Sequence, residues 1–339
     1  MDKYLLEVKN LKTSFWREDK SEIKALRGVS FAIKPGEIVG IVGESGCGKS
    51  VTMRSVMGLL PSNGKVTAGE ILFNGQQLLT LSESQMNKIR GNNISMIFQD
   101  PMTSLNPLLS IGYQIKEQIK LHRKAASKEL LHDEIIALLR RVGIPEPEMR
   151  LKQYPYEFSG GMIQRIMIAM AMSNNPQLLI ADEPTTALDV TVQDQILQLM
   201  KDIAEKHGSS IILITHDLGV IAQVCKKVLV MYAGEIVEQG EIHEIFKKPS
   251  HPYTQALLRS LPSYQRDEEK LYSIAGFPPS LDRELPGCGF ASRCQFGVNL
   301  CARCCPEMYS VSETHAVKCH NYASSVSGKL FSLSEEAVV

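Results

Sequence analysis

The segment Gly43-Glu44-Ser45-Gly46-Cys47-Gly48-Lys49-Ser50 matches the pattern G-x-x-x-x-G-K-[ST] at every fixed position. Its glycines allow the backbone to curl until successive N–H groups point inward and form a nest for an anion. The apolar run at 38–42 predicts a buried strand before the loop. Residues 51–60 can continue as a helix whose positive N-terminal end adds to the nest. The segment therefore predicts a P-loop that binds the phosphates of a nucleotide.

The side chains of this loop suggest particular contacts. The Lys49 ammonium would reach the β- and γ-phosphates, and the Ser50 hydroxyl would ligate Mg²⁺. Cys47 lies among phosphate-binding amides and near a lysine, so we expect a lowered thiol pKa and an alkylation that ATP prevents. The alternative is that Cys47 only fills a position that needs a small residue. The predicted phosphate-binding residues of the loop are Gly43, Ser45, Gly46, Cys47, Gly48, Lys49 and Ser50.

The composition narrows the class of protein. The 339 residues include 37 basic and 37 acidic side chains, so the formal net charge is zero. That balance gives no electrostatic basis for binding nucleic acid or an anionic membrane surface. No apolar run approaches the roughly 18 residues of a membrane span, and the first residues do not have the form of a signal peptide. We expect a soluble, cytosolic chain that meets a membrane only through a partner.

The pattern of the remaining chain predicts an α/β protein. Residues 4–42 alternate apolar and polar positions as antiparallel strands do, while residues 105–171 have helical periodicity. Buried-strand runs at 178–181, 211–215 and 228–231 alternate with helices, which favours a parallel sheet covered on both faces. The predicted division of the chain is a nucleotide-binding core (1–104 and 172–248), a helical subdomain (105–171) and a small, Cys-rich C-terminal extension (249–339).

An acidic pair follows the apolar run at 178–181. Asp182 and Glu183 come at the carboxyl end of a predicted parallel strand, which is where such sheets bind their ligands. We expect Asp182 to hold Mg²⁺, directly or through water, and Glu183 to orient the attacking water. The alternative is an exposed pair that caps the next helix.

A motif between the P-loop and the acidic pair makes a resemblance specific. Phe158-Ser159-Gly160-Gly161-Met162, followed by Gln164-Arg165, resembles the LSGGQ signature of ABC-type ATPases, with Phe for Leu and Met for Gln. The family's other motifs occur in its usual order: Gln99 at the Q-loop, Asp182-Glu183 as Walker B and catalytic base, Ala187-Leu188-Asp189 as the D-loop, and His216 as the switch histidine. The resemblance covers residues 4–248 and implies a P-loop, RecA-like parallel sheet with an antiparallel β subdomain.

This resemblance implies that the chain hydrolyses ATP with Mg²⁺ as its cofactor. Catalysis would belong to Glu183, His216 and Gln99, and the magnesium ligands would be Ser50, Gln99 and Asp182. Phe15 occupies the position where the family stacks an aromatic ring on adenine, and Trp16 is the neighbouring candidate.

The same resemblance implies a dimer of ATPase domains that encloses two ATP molecules. Ser159, Gly160 and Gly161 would serve the γ-phosphate of ATP on the other subunit, and Asp189 would act in the D-loop. A helix that opens on Ser-Gly-Gly offers bare amides and a positive dipole end, which suits a phosphate.

Two further segments narrow the family. Phe98-Gln99-Asp100-Pro101-Met102-Thr103-Ser104-Leu105-Asn106-Pro107 and His251-Pro252-Tyr253-Thr254 look like the ATP-binding subunits of bacterial oligopeptide and dipeptide importers. So does the P-loop as far as Thr52, which we add to the phosphate-binding residues. This resemblance implies a peripheral position on the cytoplasmic face of the cell membrane. It also implies four partners: a second ATPase, favoured to be a paralogue, two transmembrane permeases and an extracytoplasmic peptide-binding protein.

Several alternatives stay open from the sequence. The cargo could be another solute, such as nickel or a saccharide. A mechanical ATPase acting on nucleic acid or ribosomes usually has two ATPase units or long coiled-coil insertions, whereas this chain has one unit and no net charge. A metal-dependent redox sensor with a degenerate nucleotide site conflicts with the intact Lys49, Asp182, Glu183 and His216.

Cysteine is concentrated near the C-terminus, at Cys288, Cys294, Cys301, Cys304, Cys305 and Cys319. In a reducing compartment such clustering points to metal rather than disulfides. Spacing alone favours the short Cys301-x-x-Cys304 pair, which is common in zinc sites. The segment from Gly287 resembles the extension of peptide-importer ATPases, some of which carry a four-iron, four-sulfur cluster, and that resemblance implies Cys288, Cys294, Cys301 and Cys319 as its ligands. Zinc and free thiols are the alternatives.

Overall fold

The computed structural model of the chain describes residues 4–123, 127–186, 188–261 and 272–323, with only the main chain of Met102. The strands are, in chain order, β1 (Leu6–Trp16), β2 (Glu22–Ile33), β3 (Ile38–Val42), β4 (Gly64–Phe73), β5 (Gln76–Gln77), β6 (Ile94–Ile97), β7 (Leu178–Asp182), β8 (Ser210–Thr215), β9 (Lys227–Tyr232), β10 (Glu235–Glu241), β11 (Tyr309–Ser310) and β12 (Ala316–Val317).

The α-helices are α1 (Lys49–Met57), α2 (Glu83–Ile89), α3 (Pro101–Ser104), α4 (Ile111–His122), α5 (Lys128–Arg141), α6 (Pro147–Arg150), α7 (Gly160–Met172), α8 (Val190–His207), α9 (Leu218–Val224), α10 (Ile242–Lys247), α11 (Pro252–Arg259) and α12 (Asn299–Arg303). The chain forms two compact units. One comprises Met1–Lys34, Val39–Thr80 and Thr215–Val339, and the other comprises Pro35–Ile38 and Leu81–Ile214.

The first unit contains an antiparallel sheet in which β1 lies between β2 and β4, in the order β2-β1-β4-β5. Leu6 pairs with Ile33 on one side and with Phe73 on the other, and all three side chains are buried. Between β4 and β5, Asn74 and Gly75 have φ values of 48° and 74°, which a type I′ hairpin turn requires. The predicted antiparallel strands are confirmed.

The first unit also contains the strand that leads into the P-loop. β3 runs parallel to β9, with Val39 opposite Lys227. Antiparallel pairing then adds β10, β12 and β11, in the order β11-β12-β10-β9-β3. Because β11 and β12 belong to the C-terminal region, a ladder of backbone hydrogen bonds ties that region to the unit that holds the P-loop. The sequence did not predict this attachment.

The second unit contains the acidic strand. β6, β7 and β8 run parallel in the order β8-β7-β6, and every residue of β7 and β8 is buried. Parallel strands buried on both faces read as continuous apolar runs, and these runs predicted the strands correctly. The predicted α/β fold with a parallel and an antiparallel sheet is confirmed.

Two helices of the second unit have the capping residues that their sequences favour. Ser127 caps α5 by accepting a hydrogen bond from the Leu130 amide, and α8 ends at Gly208 in the left-handed region, with φ 66°. The apolar face of α8 is buried at Ile196, Met200 and Ile203. Among the described residues no helix combines the length and the apolar character needed to cross a membrane.

Candidate functional site

The P-loop joins β3 to α1, and two of its glycines cannot be replaced without conflict. Gly43 has φ 158°, and a Cβ there would lie 2.2 Å from the Met231 carbonyl oxygen. Gly48 caps α1 with φ 108°, and a Cβ there would lie 2.8 Å from a methyl group of Leu26. The fixed glycines of the motif are therefore needed because strand and helix pack closely around the loop.

Lys49 lies across the loop rather than pointing away from it. Its Nζ donates to the Gly43 carbonyl at 2.7 Å and to the Glu44 carbonyl at 3.0 Å, and the side chain is buried. Thr52 donates its hydroxyl to the Gly48 carbonyl at 2.9 Å and is fully buried. The lysine is therefore held where the loop backbone curls, while the Thr52 hydroxyl supports the start of α1.

The expected low pKa of Cys47 is wrong. Burial raises the pKa of this thiol, and the nearby Lys49 charge lowers it by less. The Cys47 side chain is only 5% exposed. At this depth, the loss of hydration free energy by a thiolate would exceed the free energy gained from its attraction to one neighbouring ammonium group. The alternative interpretation, a small residue that fills space, fits the structure.

Two side chains of the C-terminal region hold Glu44 of the P-loop. The Glu44 amide donates to the Tyr253 hydroxyl at 2.9 Å, and the Glu44 carboxylate accepts from Arg293 Nη1 at 2.8 Å. Arg293 is almost completely buried and also donates to the Tyr232 hydroxyl and to the carbonyls of residues 274 and 275. Sequence analysis missed this link, since nothing local to either segment indicates the other.

In the second unit, predicted catalytic residues meet around the end of β7. Asp182 is the last residue of that strand and is buried. The Glu183 carboxylate accepts from Gln99 Nε2 at 2.9 Å and from Thr186 Oγ1 at 3.0 Å. Glu183 is also a non-glycine residue in the left-handed region, with φ 49°. Such strain persists only where the surroundings enforce it and clusters at functional sites. Thr186 was not predicted.

The signature segment presents a helix start. Ser159 is the N-cap of α7, with extended backbone and no side-chain capping bond, and Ser159 and Gly160 are both exposed. Among the residues that the structure describes, a Cβ on Gly160 would meet nothing within 4 Å, whereas one on Gly161 would lie 2.9 Å from Val192 Cγ1. Packing within the chain therefore explains Gly161 but not Gly160.

The remaining predicted residues lie on separate elements. Asp189 caps α8 by accepting from the Val192 amide at 3.0 Å, and Ala187 of the D-loop lies outside the described residues. His216 follows β8 and is exposed. Phe15 is half-buried in β1, with its ring over Gly64 of β4, and Trp16 is 36% exposed.

Four cysteines of the C-terminal region line one small cavity of about 10 Å³: Cys288, Cys294, Cys301 and Cys319. They are the four positions that the resemblance implies. The other two lie elsewhere, because Cys304 is exposed and Cys305 donates its thiol to Glu235 at 3.5 Å. The short Cys301-x-x-Cys304 pair is thus not brought to the cavity.

The environment of these four sulfurs suits thiolates bound to a cation. Backbone amides two residues further along donate to three of the sulfurs, namely Phe290 to Cys288, Phe296 to Cys294 and Asn321 to Cys319. Burial, with smaller contributions from the three neighbouring cysteines, raises the pKa of Cys288 to about 12. Buried thiolates at close quarters need a metal to offset their charge, and metal binding would release their protons.

The spacing of the cavity side chains is not that of a formed metal site. In the ranges that the structure describes, no group of three or more His, Cys, Asp or Glu side chains is arranged to hold a metal ion. The donor set therefore fits a soft metal in its chemistry, in its shared cavity and in its amide hydrogen bonds, but the spacing of the sulfurs does not demonstrate one.

Two buried histidines contact the carboxylate of Glu238, and one of them lines this cavity. His315 Nε2 pairs with Glu238 Oε1 at 2.7 Å. Glu238 also accepts from the amides of Ser250 and His251. His251 lines the cavity, and its Nδ1 accepts from the Tyr253 amide at 3.0 Å. Burial lowers the pKa of His251 to about 4. Sequence analysis grouped His251 with the importer motif but gave it no role.

The chain is similar along most of its length to known proteins. The family model described as ABC transporter matches residues 26–186, and the one described as oligopeptide/dipeptide transporter, C-terminal region, matches residues 237–301. The oligopeptide transport ATP-binding protein OppD of Bacillus subtilis is 53% identical over 93% of this chain and 88% of that protein. The dipeptide transport ATP-binding protein DppD of Bacillus subtilis is 52% identical over 93% of this chain and 94% of that protein.

Solved structures agree with these matches. The dimeric post-hydrolysis structure of the ATP-binding cassette MJ0796, bound to ADP and phosphate, has a TM-score of 0.63 and 30% identity. The likeness covers 70% of this chain and 98% of that cassette. The fold thus occurs in a cassette whose solved structure holds ADP and phosphate.

Proposed function

Because this chain belongs to the family of ATP-binding proteins of peptide ABC transporters, we propose that it hydrolyses MgATP to drive uptake of di- or oligopeptides through partner permeases. The observation that carries this proposal is the identity of about half over 93% of the chain. The matched region includes the C-terminal segment that the family model assigns to oligopeptide and dipeptide transporters.

The P-loop of this chain binds and orients the phosphates. Successive amides of the nest and the positive end of α1 face the anion. Lys49 would exchange its loop carbonyl partners for the β- and γ-phosphates, while Ser50 and Asp182 would hold Mg²⁺, with Gln99 as a further ligand. The metal supplies neutralisation of charge on the phosphate oxygens. Thr52 stays among the proposed phosphate-binding residues, and its bond to the Gly48 carbonyl places its hydroxyl at the start of α1.

Glu183 is the general base. It accepts the proton of the attacking water, and a carboxylate held by two donors is fixed in orientation for that transfer. The bonds from Gln99 and Thr186 to Glu183 Oε2 support this role, because they fix the orientation of the carboxylate. His216 contacts the γ-phosphate during hydrolysis. Phe15 stacks on the adenine ring.

The signature segment acts on ATP bound to a second ATPase. Ser159, Gly160 and Gly161 offer hydroxyl and amide donors at the positive end of α7 to that γ-phosphate. The exposed, unpacked Gly160 supports this assignment, since a Cβ there would obstruct only an incoming partner. Asp189 caps α8 and holds the D-loop against the partner subunit.

The proposed assembly contains a second ATPase subunit, favoured to be a paralogue, two transmembrane permeases and an extracytoplasmic peptide-binding protein. The chain would lie peripherally on the cytoplasmic face of the cell membrane. In this assembly, residues 1–104 and 172–248 form the ATPase core, 105–171 the helical signature subdomain and 249–339 the extension.

We also propose that the extension carries a four-iron, four-sulfur cluster on Cys288, Cys294, Cys301 and Cys319, with zinc as the alternative. Support comes from the shared cavity of these cysteines and from the amide donors to three of the sulfurs. Four thiolates are what such a cluster needs. Protein purified without oxygen should be brown and hold about four irons, and Cys288→Ser should lose them. Colourless protein with one zinc would reject the cluster.

The transport function is tested by reconstitution. The complex purified with its permeases from the native membrane would be placed in proteoliposomes with the co-purifying binding protein. We expect ATP-dependent uptake of labelled di- or oligopeptides, absent with Lys49→Ala. Uptake of nickel or a saccharide with no peptide uptake would assign a different cargo. Co-purification with nucleic acid or ribosomes and no permease would reject the transport function.

A further inference from the structure

One buried hydrogen-bond donor beside the cysteine cavity has nothing to bond. Nε2 of His251 is fully buried and has no hydrogen-bond partner among the described residues. The same histidine lines the cavity together with Cys288, Cys294, Cys301 and Cys319. A buried polar group without a partner is energetically unfavourable, so this nitrogen calls for an explanation.

The hydrogen bonds of the ring fix which nitrogen carries the proton. Nδ1 accepts from the Tyr253 amide at 3.0 Å, and an amide N–H can be accepted only by a nitrogen with a free lone pair. A neutral imidazole has one donor and one acceptor nitrogen. The proton is therefore on Nε2, and the unsatisfied group is an N–H donor rather than an acceptor.

This assignment excludes one obvious role for His251. A histidine that ligates a metal through Nε2 needs a lone pair on that atom, and its other nitrogen usually donates to a second group. Here Nδ1 accepts, so ligation through Nε2 would leave the ring without either proton. The cavity must instead present an acceptor, and sulfur in its thiolate form is the acceptor that the four cysteines supply.

We propose that His251 Nε2–H donates a hydrogen bond to the anionic sulfur assembly that forms when Cys288, Cys294, Cys301 and Cys319 bind their metal. This inference rests on the proposed metal site. It adds a fourth donor to the three backbone amides, from a side chain that is positioned by its capping bond to Tyr253. Hydrogen bonds to the sulfurs help set the reduction potential of such clusters, so His251 is a positioning residue that stabilises the more negative, reduced state.

Two reciprocal substitutions separate this role from simple capping. His251→Asn keeps an acceptor for the Tyr253 amide, since Asn is a favoured N-cap residue, but its amide ends short of the Nε2 position. His251→Gln reaches the Nε2 position with an amide N–H but loses the capping geometry. His315→Gln is the matched control, because His315 is equally buried but bonds to Glu238 and does not line the cavity.

The full-length chain and the three variants would be purified anaerobically. Metal content, the midpoint potential and the rate of metal loss to a chelator would then be measured. We expect His251→Asn to shift the reduction equilibrium about tenfold towards the oxidised form, which is about 59 mV for one electron, and to lose metal several-fold faster. His251→Gln and His315→Gln should stay near the wild-type values.

The outcomes distinguish the inference from the site on which it rests. Wild-type protein without iron or zinc would overturn both. Wild-type protein with a cluster, and a His251→Asn variant with the same potential and rate of iron loss, would overturn only the hydrogen bond. If the metal is zinc, equal rates of zinc loss to a chelator from wild type and from His251→Asn would overturn the proposed hydrogen bond. An effect of His251→Gln with none of His251→Asn would assign His251 to capping and reject the donor role. Equal effects of the two variants would also reject it, because only His251→Asn removes the N–H from the Nε2 position.

Discussion

Arg293, the residue before Cys294, forms an ion pair with Glu44 inside the P-loop, with 2.8 Å between Nη1 and Oε2. Tyr253 holds the amide of the same glutamate at 2.9 Å. The C-terminal region is therefore attached to the phosphate-binding loop by two bonds on one residue. Both bonds lie in the unit that contains the P-loop.

The ion pair yields a first prediction. Arg293→Met leaves a partly buried carboxylate without its cation, and lost hydrogen bonds to charged groups cost about 1–3 kcal/mol. We expect the free energy of unfolding to fall by that amount and the Kd for MgATP to rise several-fold, measured by urea unfolding and nucleotide titration. Arg17→Met is the control, because its pair with Asp282 is exposed and should contribute at most about 1 kcal/mol. Equal, small effects of both changes would contradict the link.

The Tyr253 bond yields a second prediction. Tyr253→Phe removes the acceptor of the Glu44 amide and keeps the ring that packs on Tyr232 and Phe290. We expect weaker MgATP binding with little loss of thermal stability, since the aromatic contacts remain. Amide hydrogen exchange at residue 44 should be faster. Unchanged exchange and unchanged affinity would show that this hydroxyl does not hold the loop.

Cys47 provides a third prediction. Its raised pKa means that the thiol stays protonated through neutral pH, and only the thiolate reacts. Labelling by iodoacetamide should therefore be slow at pH 7 and increase with pH beyond the ordinary thiol value of 9.0. The exposed Cys304 is the internal reference and should be labelled first, as mass spectrometry of peptides would show. Labelling of Cys47 before Cys304 would contradict this expectation and support an activated Cys47 thiol.

Gly160 provides a fourth prediction. The methyl group of Gly160→Ala meets no atom of the described residues within 4 Å, so the isolated protein should fold and bind ATP as wild type does. Hydrolysis by the assembled transporter should fall at least about tenfold, since small displacements of a reacting group cost that much or more. Gly161→Ala, which would crowd Val192, should instead lower thermal stability. Full activity of Gly160→Ala would contradict the proposal that the signature segment acts on ATP bound to the partner subunit.

Local patterns made most of the fold predictable. The P-loop, the apolar runs of β7 and β8, and the caps at Ser127 and Gly208 depend on neighbours within a few residues. Gln99 and Glu183 were assigned to the same chemistry only because both match motifs in the order that the family has them. The structure adds the hydrogen bond between the two side chains.

The features that were missed join distant segments or depend on depth. Arg293 and Glu44 are 249 positions apart, and no periodicity connects them. The prediction of a low pKa for Cys47 was wrong because a sequence motif identifies the neighbours of the thiol but not how deeply the thiol is buried. The unsatisfied Nε2 of His251 could be recognised only once the structure showed the cavity. The position of His251 directly before Pro252, where a helix cap is expected, could be read from the sequence.

The hydrolysis of ATP by Glu183 is tested most directly in the assembled transporter with Glu183→Gln. The amide keeps the size of the side chain and loses the basic oxygen, so we expect normal MgATP binding and turnover at least about a hundredfold slower, the usual contribution of a general base. Glu284→Gln, at an exposed carboxylate, should leave turnover unchanged. Wild-type turnover by Glu183→Gln would contradict the account.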